Sequence, residues 1–131
     1  VSFPGGRIEP YDADAVAAAL RESREEIALP ASQVTPLGFL DPFTTISGFR
    51  VVPVVAVIDP SFVPQPEPNE VADVFEVPLD YLLAPDSLRR VEVDYRGRRR
   101  VVLEYGWPGQ RIWGATAAIL FNLRERLERS A

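Results

Sequence analysis

Apolar residues recur at helical spacing in two stretches of the chain, one toward each end. In residues 12–29 they form a narrow stripe, which predicts a helix with one face toward a core. The stripe consists of Val16, Leu20, Ser23 and Ile27. Asp12 can cap this helix, and Pro30 is expected to end it. Residues 115–129 repeat the same spacing, so we predict a second amphipathic helix there.

Between the two helices, β-branched and alternating residues predict strands. Residues 50–58 are nearly all β-branched, which is typical of a strand buried on both faces, with Pro53 where no ladder donor is needed. Residues 89–95 and 98–105 alternate on either side of an Arg-Gly pair. This pattern predicts a β-hairpin.

The middle of the chain contains shorter elements. Residues 59–69 include four prolines and are predicted to be a loop, whereas residues 72–77 favour a short strand. Pro78 is suited to begin a short helix that extends to Leu83. Because strands and helices interleave without repeats, we predict the α/β class, with a mixed sheet and helices on both of its faces.

Composition narrows the chemistry that the chain can perform. With 131 residues, 47% of them hydrophobic, it is long enough for one domain with a core. Its net charge of −5 argues against nucleic acid or an anionic membrane as a partner. The chain has no His and no Cys, which excludes a Ser-His-Asp triad, a thiol nucleophile and a Cys/His zinc site.

Two further consequences concern metals and cations. Any metal must be bound by oxygen, so Mg²⁺, Mn²⁺ and Ca²⁺ are the ions to consider. Every basic residue is Arg, which leaves the guanidinium as the only side-chain cation that can bind a phosphate.

The sequence has no long apolar run and no signal peptide, so we expect a soluble, cytoplasmic protein. It contains no Met and starts directly in a loop, so we expect further strands before Val1.

The informative charged residues lie on the first predicted helix. Glu22, Glu25 and Glu26 are three and four residues apart, so like charges share one face and repel unless a cation neutralises them. Arg21 lies four residues before Glu25 and can orient it. The alternative is an ordinary solvated charged face, and the similar residues 124–129 are interpreted in that way.

These residues and the loop before them resemble the Nudix box, in which Gly and Glu precede Arg-Glu-U-x-Glu-Glu-x-Gly-U, with U a bulky apolar residue. The matching positions are Gly6, Arg21, Glu22, Glu25, Glu26 and Leu29. Asp12 replaces the first Glu, Ser23 occupies a U position, Ala28 replaces Gly, and one extra residue precedes the Arg. Residues 3–6, 70–79 and 113–117 are similar to the coenzyme A pyrophosphatase branch of this family.

The resemblance implies a single α/β/α Nudix hydrolase domain over residues 1–131, incomplete at its N-terminus. It implies hydrolysis of coenzyme A or acyl-coenzyme A, dependent on Mg²⁺ or Mn²⁺, to adenosine 3',5'-bisphosphate and 4'-phosphopantetheine. The implied metal ligands are Glu22, Glu25, Glu26 and the carbonyl oxygen of Gly6. Rival interpretations are a Nudix hydrolase of another nucleoside diphosphate derivative such as ADP-ribose, and a non-catalytic Nudix-fold binding module. A homodimer remains open.

Other candidate residues lie outside the helix. Glu25 and Glu70 are candidates for the catalytic base, although Glu70 could equally be a metal ligand or a loop carboxylate in water. Arg50 is a candidate for binding a phosphate and Phe49 for stacking on adenine. Their alternatives are a surface Arg at the start of a strand and a core Phe. The four arginines within residues 96–100 are a candidate for the 3'-phosphate, against a solvated hairpin tip.

Overall fold

The computed structural model describes residues 1–45 and 47–130. These residues form two compact units, one of Pro4–Phe75 and one of Val1–Phe3 with residues 76–130. No helix in the described ranges is both long enough and apolar enough to cross a membrane. Whether residues 1–131 make up one domain stays a prediction.

The unit of Pro4–Phe75 consists of one helix and two small antiparallel sheets. Its elements are α1 (Ala15–Ile27), a 3₁₀ turn (Ala31–Gln33), β1 (Val34–Phe39), β2 (Phe43–Thr44), β3 (Arg50–Val51) and β4 (Val54–Ile58). β1 pairs with β4, with an irregularity in register between Pro36 and Gly38, and β2 pairs with β3. The buried residues Ala18, Ile27, Leu29 and Leu40 belong to its core.

The first helix is confirmed, but it starts later than predicted. Asp14, not Asp12, is the N-cap, and its carboxylate accepts a hydrogen bond from the Ala17 N–H at 2.8 Å. Asp12 cannot cap because it accepts from the Glu9 N–H and from Arg21 instead. The helix therefore begins directly after Asp14, whose carboxylate is free to accept a hydrogen bond from the unpaired N–H groups of the first turn.

The helix ends at Ile27, before the predicted limit, through a left-handed residue. Ala28 has φ 61° and ψ 31°, and the Leu29 N–H closes the turn on the Ser23 carbonyl at 3.3 Å. A left-handed conformation is costly for any residue with a Cβ atom and free for glycine. This backbone accounts for the Gly that the Nudix box has where this chain has Ala28.

Ala28→Gly is therefore expected to stabilise the protein by about 0.5–1 kcal/mol, since relief of the left-handed strain exceeds the added entropy of the unfolded chain. Urea unfolding measures the difference. The control is Ala19→Gly in the right-handed interior of α1, which should cost about 0.5–1 kcal/mol. Equal destabilisation by both substitutions would contradict the role given to Ala28.

The predicted strand 50–58 is wrong as a single element. It is interrupted at Val52-Pro53, so that β3 and β4 belong to different sheets. Pro53 has no N–H, but its carbonyl accepts a hydrogen bond from the Leu40 N–H at 3.1 Å. Val57 is exposed, so β4 is not buried on both faces as predicted.

The other elements predicted for this unit agree with the structure only in part. Residues 72–77 are irregular and form no strand, whereas the loop predicted at 59–69 is confirmed. β1 was not predicted, because its Pro36 and Gly38 interrupt the alternation expected of a strand.

The second unit contains a three-stranded antiparallel sheet and the C-terminal helix. Its elements are α2 (Leu79–Leu83), a 3₁₀ turn (Pro85–Ser87), β5 (Leu88–Tyr95), β6 (Arg98–Trp107), β7 (Gln110–Trp113) and α3 (Gly114–Ser130). The hairpin is confirmed: Arg96 and Gly97 have φ 50° and 75°, as a two-residue primed turn requires. β6 also pairs with β7, and its Tyr105 is the largest fully buried side chain described in either unit.

The α/β class is confirmed. Every strand pair in the described ranges is antiparallel, so the parallel pairs of the predicted mixed sheet are not among them. Parallel neighbours need a crossover of about a dozen residues or more. The strands of the β5-β6-β7 sheet are instead joined by short turns.

Candidate active site

The guanidinium of Arg21 connects α1 to the loop before it. Its Nε and Nη2 donate to the two carboxylate oxygens of Asp12, each at 3.0 Å. Nη2 also donates to the Arg7 carbonyl at 3.1 Å. The Asp12 side chain is only 4% exposed, and the hydrogen bond from Arg21 is the main reason why its pKa is lowered. This bidentate pair holds the loop of residues 7–12 in one position on the helix.

The remaining nitrogen of Arg21 faces the glutamates. Nη1 donates to Glu22 Oε1 at 2.9 Å and to Glu25 Oε2 at 3.3 Å. The Glu25 side chain is 54% exposed and forms an ion pair with Arg21. The contacts that an orienting role requires are therefore present, and the role itself stays a prediction.

Glu22 and Glu26 lie close together on successive turns of α1. Partial burial, then the adjacent Glu22 and the charge of Glu70, raise the pKa of Glu26, whereas a hydrogen bond from the Gly5 N–H opposes this. That N–H lies 3.3 Å from Glu26 Oε1. Two carboxylates in this arrangement favour a shared proton or a cation between them.

The Gly5-Gly6 turn approaches the same pair of carboxylates. A Cβ atom added to Gly6 would lie 2.7 Å from both Cδ and Oε1 of Glu22, whereas one added to Gly5 would meet nothing within 4 Å. A side chain at position 6 would therefore require the carboxylate end of Glu22 to move. The Gly6 carbonyl is thus on a segment beside Glu22, as its predicted role as a ligand requires.

Glu70 is brought toward the helix by the proline-rich loop. The Gln65 N–H donates to the Ile27 carbonyl at 3.0 Å, and the Glu67 N–H donates to the Glu26 carbonyl at 2.8 Å. These bonds satisfy carbonyls that the end of a helix leaves without partners. The Glu70 N–H then closes a turn on the Glu67 carbonyl at 3.1 Å. Glu70 thereby comes close enough for its negative charge to contribute to the raised pKa of Glu26.

The donor set suits a hard divalent cation. Glu22, Glu26 and the Gly6 carbonyl offer only oxygen, and the crowded negative charge favours a positive ion. Within residues 1–45 and 47–130, no three acidic side chains already converge as a metal site, and Glu25 is turned to Arg21. The assignment of Glu22, Glu25 and Glu26 as ligands therefore stays a prediction that the Glu22–Glu26 pair supports.

Phe49 and Arg50 lie in the same unit, and both are exposed. The Phe49 N–H and carbonyl both bond to Thr45, which fixes the chain just before β3. Phe49 is therefore not the core residue of the alternative interpretation. Both side chains can reach a ligand in solvent, and their predicted roles in substrate binding remain predictions.

Some site contacts could not be anticipated from the sequence. The nine-residue separation of Asp12 and Arg21 has no helical meaning, because Asp12 lies before α1 and the chain bends at Ala13-Asp14 before the helix starts. Only the identity of Asp12, in the place of the box's first Glu, was a signal. Residues 65–67 contact the helix through backbone atoms, so the pattern of side chains does not predict this contact.

Gly6→Ala is expected to lower turnover about tenfold or more while the fold is retained, because the added methyl group displaces the mobile end of Glu22 by a fraction of an ångström or more. Gly5→Ala is the matched control and should retain activity, since the Gly5 N–H to Glu26 persists. Steady-state kinetics and circular dichroism on both variants test the pair. Equal activity of the two would show that the close approach at Gly6 is unimportant.

Comparison with known proteins identifies the family. Residues 1–96 match the family model described as "NUDIX domain". The chain is 38% identical to "Uncharacterized Nudix hydrolase NudL" of Photorhabdus laumondii over 128 residues, 98% of this chain and 68% of the relative. It is also 38% identical over 123 residues to proteins of that name in Pectobacterium atrosepticum and Escherichia coli K12, covering 94% of this chain and 64% of each. The chain thus spans about two thirds of the length of these curated relatives. Together with the α/β fold and the glutamates of α1, these matches show that the chain belongs to the Nudix hydrolase family.

Proposed function

We propose that this chain carries the active site of a Mg²⁺- or Mn²⁺-dependent pyrophosphatase that hydrolyses coenzyme A or acyl-coenzyme A. The products are adenosine 3',5'-bisphosphate and 4'-phosphopantetheine. The single observation that carries the hydrolytic part is the Glu22–Glu26 pair, which lies beside the Gly5-Gly6 turn with Glu70 near it.

The divalent cation supplies positive charge against the pyrophosphate and makes water a better nucleophile. The chain's own residues do the rest. Glu22 and Glu26 present carboxylate oxygens, and Arg21 fixes Glu22 through its 2.9 Å hydrogen bond. A water oxygen attacks one phosphorus, the bridging P–O bond breaks, and a carboxylate accepts the proton of the water. Glu70, exposed on its loop, is our choice for that base, with Glu25 as the alternative.

The choice of substrate rests on similarity and on charge. Residues 3–6, 70–79 and 113–117 are similar to the coenzyme A pyrophosphatase branch. Coenzyme A has a 3'-phosphate that ADP-ribose lacks, and only Arg can supply a cation for it in this chain. Arg50 is exposed next to Phe49 in the same unit as the glutamates, so it is the first candidate for phosphate recognition with adenine stacked on the phenyl ring.

Two other functions compete with this one. A Nudix hydrolase of ADP-ribose would use the same glutamates without a 3'-phosphate contact. A non-catalytic binding module would have no need of three helix carboxylates, and their retention argues against it.

A substrate panel tests the proposal. We expect kcat/KM for coenzyme A to exceed that for dephospho-coenzyme A about tenfold or more, because a charge-assisted contact to phosphate contributes about 1.5–3 kcal/mol. Arg50→Gln should remove most of this preference. Arg24→Gln, at an exposed position of α1 that forms no ion pair in the described ranges, should leave it intact. A higher kcat/KM for ADP-ribose would assign the protein to the rival class.

A further inference from the structure

One face of the β5-β6-β7 sheet concentrates positive charge. Since side chains alternate along a strand, the register of the three strands places four arginines and one glutamate on this face: Arg89, Arg98, Arg100, Arg111 and Glu104. All four arginines are exposed. The chain as a whole has a net charge of −5, so this face differs from the average surface in attracting anions.

Glu104 holds two of these arginines in place. Its side chain is 11% exposed, whereas those of Arg89 and Arg111 are 65% and 52% exposed. Nε of Arg111 donates to Oε1 of Glu104, and Nη2 of Arg89 lies 3.4 Å from Oε2. The Arg111 guanidinium also lies over the ring of Trp113, 4.6 Å from its centre. Both guanidinium groups are therefore anchored before a ligand arrives, which lowers the entropic cost of binding.

The carboxylate of Glu104 does not exhaust the binding capacity of this pair. A guanidinium has five N–H donors in a fixed planar arrangement, and one nitrogen of each arginine faces Glu104. Within residues 1–45 and 47–130, neither arginine is paired with a second carboxylate. Arg89, Glu104 and Arg111 together thus have one positive charge in excess and donors that Glu104 does not use. Planar donors of this kind match the oxygen atoms of a phosphate group.

A cleft of about 450 Å³ lies beside Arg89. It is lined by Tyr81, Asp86, Ser87, Arg89 and Gly106. Gly106 keeps this cleft open, since a Cβ atom added there would lie 3.1 Å from Nη2 of Arg89. The volume suffices for a small organic molecule. Asp86 disfavours further negative charge in the cleft and can accept hydrogen bonds from hydroxyl groups.

We propose that this face of the second unit binds a phosphate monoester of a hydroxylated compound, such as a sugar phosphate. Arg89 and Arg111 bind the phosphate oxygens. The hydroxylated part enters the cleft, where Asp86 and Ser87 are its hydrogen-bond partners. The site lies outside the unit that contains the glutamates of α1, and the proposal does not depend on the hydrolytic function.

The test is equilibrium dialysis of the whole protein against radiolabelled ribose 5-phosphate at constant ionic strength, with EDTA to remove divalent cations. Without a metal, the glutamates of α1 repel the anionic ligand. We expect Arg89→Gln to raise the dissociation constant about tenfold or more, because it removes a charge-assisted contact to the phosphate. Arg99→Gln is the matched control, since Arg99 is exposed on the opposite face of the same hairpin and pairs with Glu92. It should change the constant by less than about twofold.

Gly106→Ala tests the site without changing any charge. The added methyl group would meet Nη2 of Arg89 and displace the guanidinium, so we expect binding to weaken about threefold or more. Thermal unfolding of each variant without ligand shows whether the fold is retained.

Absence of bound ribose 5-phosphate at millimolar ligand and protein would overturn the proposal. An unchanged dissociation constant in Arg89→Gln would also overturn it, because the phosphate would then bind elsewhere. Inorganic phosphate serves as the second ligand and should bind more weakly, since it makes no contacts in the cleft. Equal affinity for the two ligands would contradict the role given to the cleft.

Discussion

Glu26→Gln is expected to lower kcat about a thousandfold at saturating Mg²⁺, because loss of one anionic oxygen ligand removes several kcal/mol of transition-state stabilisation. The amide keeps the size of the side chain and can still accept the hydrogen bond that the Gly5 N–H makes to Glu26. The fold should therefore survive. Release of phosphate-containing products from coenzyme A, followed by chromatography, measures the loss.

The matched control is Glu125→Gln, in the similar but exposed sequence on α3, which should retain full activity. The unfolding midpoint without metal separates a chemical effect from misfolding. It should not fall in Glu26→Gln, because the substitution removes like-charge repulsion from Glu22 and Glu70. Wild-type turnover by Glu26→Gln at saturating Mg²⁺ would refute the assignment of Glu26.

Tyr105→Ala is expected to cost about 3–5 kcal/mol of unfolding free energy, the range for removal of a large aromatic side chain from a core. Tyr105 is the largest side chain with no exposure in either unit, and it lies on the central strand of the β5-β6-β7 sheet. Since domains of this size are stable by about 5–15 kcal/mol, this loss is a large fraction of the total stability. Urea denaturation followed by tryptophan fluorescence measures the loss.

Tyr95→Ala serves as the comparison, because Tyr95 ends β5 beside the hairpin turn and is only partly buried. Its loss should cost about 1 kcal/mol, mostly from packing and the cation–π contact with Arg96. If Tyr105→Ala cost no more than this, Tyr105 would not be central to the core.

Elements with a strong local pattern could be predicted from the sequence. The hairpin followed from alternation around Arg96-Gly97, and α3 from its helical repeat, because both depend on neighbours in the chain. β1 could not be found, since Pro36 and Gly38 disturb its alternation and its partner β4 is about twenty residues away. Its formation depends on tertiary pairing, which local preference does not report.

In the candidate site, too, some contacts can be predicted from the sequence and others depend on tertiary folding. Glu22 and Glu26 are one turn apart on α1, so their proximity followed from the sequence alone. The approach of Gly6 and Glu70 depends on how two loops fold back on the helix. The sequence alone does not predict which of Asp12 and Asp14 caps the helix, because nothing local distinguishes the two. Arg21, on the second turn of α1, decides between them, because it binds the Asp12 carboxylate and leaves Asp14 free to cap.

The attachment of the proline-rich loop to the end of α1 determines which kinds of sequence change this region can accept. Main-chain N–H groups of Gln65 and Glu67 make both bonds to the helix, and every residue except proline supplies that group. Substitutions at Gln65 can therefore accumulate with little effect on the site. An insertion or deletion between Glu67 and Glu70 would move the carboxylate of Glu70 by about 3 Å per residue. Divergent copies of this domain should accordingly vary in composition here while keeping the number of residues between Glu67 and Glu70 constant.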